Sequence, residues 1–181
     1  PYIHNELGLI YLQMKDYKKA RAEFEIAADL APGWAFPWSN LCIVYTETGQ
    51  LDQAKASAEQ AIALQADYPG VYNNLGDAWA KSHNYLKAET LYRKAISLND
   101  MHFIPFQQLG YLLSATTRFE AAEEMLFQAE RLKVGVLNIG TAVDGHGSPL
   151  KDNFKKIYAD GIANYYTPIK LISEPRTAED F

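Results

Sequence analysis

Apolar residues fall at Leu7, Ile10, Tyr11 and Met14, the i, i+3, i+4, i+7 spacing of one helix face. A second run, Tyr17, Ala20, Phe24, Ala27 and Leu30, begins after the polar step Lys15–Asp16, too short for anything but a tight antiparallel return. The same alternation then recurs. Trp38, Leu41, Cys42 and Tyr45 precede the turn Thr48-Gly49-Gln50, and Leu51, Ala54, Ala58, Ala61 and Leu64 follow it. Tyr72, Leu75, Gly76 and Trp79 lead to Leu86, Ala88, Tyr92, Ala95 and Leu98. Phe106, Leu109, Gly110 and Leu113 lead to Phe119, Ala122, Leu126 and Ala129. The pattern predicts four helical hairpins.

The copies are in register. Leu7, Leu41, Leu75 and Leu109 are 34 residues apart, as are Ala20, Ala54, Ala88 and Ala122, and Ala27, Ala61, Ala95 and Ala129. A fixed period of this size marks stacked supersecondary units, which places function on an extended concave surface and not in a closed pocket. Gly8, Cys42, Gly76 and Gly110 share the eighth position of the repeat. Glycine inside a helix costs roughly 1 kcal/mol against alanine, so its use in three copies argues a packing reason. The expected one is close approach of the two helix backbones opposite Ala20, Ala54, Ala88 and Ala122.

Leu7-Gly8 with Tyr11, Ala20, Phe24, Ala27 and Pro32, and "NNLGDAW" with Ala88, Tyr92 and Ala95, resemble the tetratricopeptide-repeat pattern over residues 1 to about 134. Departures are Cys42 for glycine, Ala58 and Leu126 for the aromatic, and a closing proline only at Pro32. The resemblance implies an all-α, right-handed superhelical solenoid of four antiparallel helix-turn-helix repeats, at about 1–34, 35–68, 69–102 and 103–134. It also implies that the first helix of each hairpin lines an inner groove. Among the groove positions so assigned, the candidate peptide-binding residues are Tyr2, Asn5 and Leu9, then Phe36, Asn40 and Ile43, then Asn73, Asn74 and Asp77, then Gln107, Gln108 and Tyr111.

Asn40, Asn74 and Gln108 occupy one position in successive copies. A carboxamide presents a donor and an acceptor and so can bond the backbone of an extended peptide; the alternative is that the row merely faces water. Tyr2, Phe36 and Tyr111 would supply apolar anchors. Relatives that clamp a chaperone's C-terminal carboxylate use cations in the groove, where this chain has Asn5, Leu9, Gly70 and Asn74, with only Asn40 matching. A desolvated carboxylate without a charge partner is unfavourable, so the chain is not expected to be a chaperone-tail receptor. Lys81 is the one cation at the assigned groove positions.

Composition narrows the classes. Net charge of −5 offers no basic footprint for nucleic acid. No apolar run approaches the roughly 18–20 residues of a membrane span, so a soluble cytoplasmic or periplasmic protein is expected. Cys42 alone excludes an intrachain disulfide. His4, His83, His102 and His146 lack paired metal-ligand spacing, and no cofactor motif is present. The chain starts inside the repeat pattern, as a processed or truncated chain would, with room for earlier repeats.

Beyond Lys133 the periodicity stops. Residues 134–148 read as a glycine-rich loop with a short extended run at Val136–Ile139, and Ser148-Pro149 as the start of a helix over 149–162 that caps the last hairpin. An extended tail follows. The segment "DGHGS", with Asp144, His146 and Ser148, invites a catalytic reading, but adjacency in sequence does not supply the geometry a nucleophile and base need. The leading expectation is a non-enzymatic adaptor that binds an extended peptide or partner helix in its groove. The alternatives are a recruiting arm of a larger enzyme and self-association through Trp34, Phe36, Tyr165 and Tyr166.

Overall fold

The computed structural model describes residues 1–133. The expected loop, the capping helix over 149–162, the tail, and Tyr165 and Tyr166 lie outside the described residues. Eight helices are found among the described residues: α1 (Tyr2–Gln13), α2 (Tyr17–Leu30), α3 (Ala35–Glu47), α4 (Leu51–Leu64), α5 (Pro69–Lys81), α6 (Tyr85–Leu98), α7 (Phe103–Ala115) and α8 (Phe119–Lys133). They pair as hairpins α1/α2, α3/α4, α5/α6 and α7/α8. Each second helix packs on the next first helix, and the first helices also touch in order, α1 on α3, α3 on α5, α5 on α7. That asymmetry makes the first helices the inner layer of the solenoid. Residues at one repeat position then form a row along it.

The return between the two helices of a hairpin is the same each time. Lys15, His83 and Thr117 adopt positive φ of 59°, 60° and 61°, and Gly49 adopts 76°. Only the second copy uses the residue that enters this region freely; the others accept a left-handed residue costing roughly 1 kcal/mol or more. Asp16 and Asn84 then cap α2 and α6, accepting from the Lys19 and Lys87 amides at 3.2 Å.

Ala20, Ala54, Ala88, Ala27, Ala61 and Ala95 are completely buried. Leu41 packs with Ala20 and Phe24 of the preceding repeat; Leu7, on α1, is only half-buried. The eighth-position glycines are explained differently from the sequence expectation. A Cβ on Gly8 would lie 2.4 Å from the Phe24 ring, one on Gly76 2.5 Å from the Tyr92 ring, and one on Gly110 2.3 Å from the Leu126 side chain. The space is therefore taken by the twenty-fourth-position side chain, not by backbone facing the twentieth-position alanines. In the second copy the large partner is absent. Ala58 stands there, and Cys42 joins it in one buried cluster.

Repeats three and four are also tied by charge. Glu89 on α6 is buried and accepts from Arg93 one turn on and from Arg118, before α8, whose Nη2 lies 2.5 Å from Oε2. The Arg118 bond holds the Glu89 carboxyl below its usual range, with Arg93 acting in the same direction.

Candidate functional site

The predicted groove residues all lie on first helices, and their environments differ. Asn5 and Asn73 are buried; Leu9, Asn40, Ile43, Asn74, Asp77, Gln107, Gln108 and Tyr111 are half-buried; Tyr2 and Phe36 are exposed. The structure brings these residues together in two tracks and one cluster.

The first track is the carboxamide row. Asn40 donates to Asn5 Oδ1 at 2.9 Å, and Asn74 donates to the Ser39 carbonyl at 3.2 Å and Ser39 Oγ at 3.0 Å. Lys81 follows the same rule: its Nζ donates to the Thr46 carbonyl at 3.2 Å and to Glu47 Oε1 at 2.9 Å. Thus α3 reaches back to α1, and α5 to α3. The row neither simply faces water nor is wholly free for a ligand; its donors hold neighbouring repeats in register. The acceptor oxygens of Asn40 and Asn74 take no hydrogen bond among the described residues. At the third step the row opens. Gln108 makes no hydrogen bond among the described residues, while Gln107 donates to the Tyr111 hydroxyl at 2.7 Å.

The second track is aromatic and crosses the N-terminal ends of α1, α3 and α5. Tyr2 packs against Trp34 in a tilted pair with centroids 4.7 Å apart, Trp34 against Phe36 at 5.8 Å, and Phe36 against Tyr68 at 4.7 Å. Sequence reading singled out Tyr2 and Phe36 and missed Tyr68. The signal was present: Trp34, Tyr68 and His102 share the last position of the repeat. Gly70 makes room for this track, since a Cβ there would lie 2.8 Å from the Tyr68 ring. Burial raises the Tyr68 phenol above its usual pKa, with the Ser39 side chain opposing.

The cluster is centred on Asp77. The ninth-position row reads Leu9, Ile43, Asp77, Tyr111, so its one carboxylate stands among uncharged side chains. Tyr92, on the outer helix α6, passes over Gly76 and donates to Asp77 Oδ1 at 2.7 Å. Asn73 approaches Oδ2 only at 3.4 Å. Burial pushes the Asp77 carboxyl up to about 6; the Tyr92 bond and the Lys81 charge oppose this, and Glu47 reinforces it. Tyr92 was read from the sequence as a core residue, and its second role was not legible there. Cys42 is completely buried, and desolvation pushes its thiol up to about 12, so it is not a nucleophile.

Among the described residues no group of three or more His, Cys, Asp or Glu side chains could hold a metal ion, and no helix is long and apolar enough to cross a membrane. His4 meets Glu23 at 2.7 Å, an interaction between the two helices of the first hairpin. What the inner layer offers chemically is hydrogen bonding, aromatic contact and the half-buried Asp77 carboxylate.

A family model described as tetratricopeptide repeat matches residues 1–34 and 69–102, and a second of the same description matches 38–68. An uncharacterized protein, ycf37 of Guillardia theta, is 30% identical over 92 residues, 48% of this chain and 52% of the relative. The chain therefore spans about half the length of that relative. The thermophilic repeat protein TTC0263 of Thermus thermophilus superposes with a TM-score of 0.68 at 16% identity, over 94% of both chains. The first repeat domain of Spaghetti, bound to the HSP90 peptide SRMEEVD, superposes with a TM-score of 0.58 at 20% identity, over 64% of this chain and 92% of that one. At these identities the likeness to the solved structures shows the fold alone.

Proposed function

The chain belongs to the tetratricopeptide-repeat family, a module that generally mediates protein–protein interaction, and we propose that it is a non-enzymatic adaptor binding an extended peptide along its inner layer. One observation carries this reading: Asn40 and Asn74 spend their donors on the preceding repeat and keep their carbonyl oxygens. Acceptors held at a fixed repeat interval suit the amide N–H groups of an extended chain, whose side chains need not be read. Because the repeats already hold each other, the ligand bears most of the ordering cost. Tyr2 and Phe36, backed by Trp34 and Tyr68, supply apolar contact next to that row. Gln107, Gln108 and Tyr111 extend the polar surface into the fourth repeat. Among the described residues the one cation at the assigned groove positions, Lys81, is already paired with Glu47, so a terminal carboxylate finds no ready charge partner there.

The test uses peptides selected on the immobilised chain from a random display library, with affinity read by fluorescence anisotropy. Micromolar binding is expected, weakened about ten-fold or more by Asn40→Ala with Asn74→Ala, since each lost acceptor removes roughly 1 kcal/mol. Circular dichroism must show the double variant folded. Unchanged affinity in a folded double variant would remove the carboxamide row from the binding surface.

A further inference from the structure

We infer that the third repeat holds a cationic anchor point, at which the Asp77 carboxylate receives an arginine or lysine side chain of the bound peptide. This rests on the peptide-groove reading above and names one residue class the groove selects.

Three observations carry it. Asp77 has no cation within ion-pair distance among the described residues: Lys81, one turn on, is drawn off by Glu47 and the Thr46 carbonyl. The carboxylate is nonetheless fixed for use. Tyr92 pins Oδ1 at 2.7 Å, leaving Oδ2 with only the long contact to Asn73. Finally, Asn73 Oδ1 is buried without a hydrogen-bond partner among the described residues, in a side chain only 6% exposed. Asn73 and Asp77 lie one turn apart on the same face of α5, so two oxygens there lack strong donors. A buried acceptor left in this state is destabilising, because its lost hydration is not replaced. A guanidinium, with several N–H donors in a planar fork, suits such a pair better than any neutral side chain.

The rest of the inner layer agrees in sign. The ninth-position neighbours Leu9, Ile43 and Tyr111 offer no competing charge, and the chain as a whole carries −5. The groups acting on Asp77 are Tyr92 from α6, Lys81 on its own helix, and Glu47 from α3; Cys42, also on α3, stays neutral. A bound cation favours the ionised carboxylate and lowers its pKa, so binding weakens as the solution is acidified through about pH 6.

The experiment selects twelve-residue random peptides on the full chain and on Asp77→Asn in parallel, with an unrelated protein as background. Arginine and lysine are expected to be enriched at one position of the wild-type pool and not in the Asp77→Asn pool. Replacing that residue by norleucine in a selected peptide should weaken binding about ten-fold or more at neutral pH. The difference should shrink below about pH 6. Peptides enriched over background without a cationic preference, or with the same preference in both pools, overturn the anchor and leave the groove reading standing. No enrichment over background overturns both. Should Asp77→Asn fail to fold, the norleucine comparison on the wild-type chain decides alone.

Discussion

Repeats two and three are built on one template and differ where it counts. In repeat three, Gly76 leaves room for the Tyr92 ring, and that ring carries its hydroxyl from the outer helix to Asp77 on the inner one. In repeat two the ring is absent; Ala58 is small, Cys42 takes part of the space, and the ninth position is the apolar Ile43. Repeat one supports the same reading. Phe24 fills the space over Gly8 but has no hydroxyl, and its ninth position is Leu9. A tyrosine at the packing position and a carboxylate in the inner row occur together in repeat three alone. The side chain that sets hairpin spacing thus also sets the polarity of the groove.

Transplanting repeat two's residue into repeat three should break this most severely. Gly76→Cys drives a Cβ to within 2.5 Å of the Tyr92 ring, and overpacking of this kind costs about 1–3 kcal/mol. Urea unfolding should show that loss. Adding Tyr92→Ala should recover part of it in a double-mutant cycle, because the pair then resembles Cys42 with Ala58. Strict additivity would mean that the two positions are not complementary.

Acid should distinguish repeat three next. The folded pKa of Asp77, about 6, lies above the ordinary value of 3.8, so the native state binds this proton more tightly than the unfolded chain does. Its contribution to stability therefore grows as pH falls from about 6 toward about 4. Glu89 has the opposite sign: its pKa is lowered from 4.5, and its contribution is lost only below that value. Between neutral pH and about pH 5 the wild type should gain on the order of 1–2 kcal/mol relative to Asp77→Asn. Parallel thermal melts at the two pH values measure this, and equal pH dependence would show that Asp77 is well hydrated.

Tyr92→Phe is a finer cut. It keeps the ring over Gly76 and removes the bond that opposes the upward shift, so Asp77 should titrate above 6, visible in carboxyl carbon NMR. The stability cost should be about 1 kcal/mol. Asn74→Ala should have an effect of the same order, about 0.5–1.5 kcal/mol, from losing its bonds to Ser39. Hydrogen exchange should place the added opening between repeats two and three. Opening elsewhere would contradict the register role of the row.

Much of this was legible in the residues. The hairpins and their stacking follow from a period of 34 residues and the helical spacing of apolar side chains, and the inner position of Asn40, Asn74 and Asp77 is what the resemblance to the tetratricopeptide repeat implies. Periodicity specifies which face a residue occupies, because a helix and a stack both repeat. It does not specify which neighbour a long side chain reaches. Tyr92 reads as core in any pattern, yet its hydroxyl emerges at Asp77. Asn40 and Asn74 read as ligand-facing or solvent-facing, yet both reach back to the preceding repeat.

The amino-acid order by itself determined four helix pairs and their stacking, since these depend on local propensity and on burying one face per helix; the inner row came from its resemblance to a known repeat. Only the tertiary structure decided which polar atoms were spent and which were left over. That depends on angstrom-scale distances between residues some 35 apart in the chain, and a hydrogen bond is won or lost within that range. The leftover oxygens of Asp77 and Asn73 are the result.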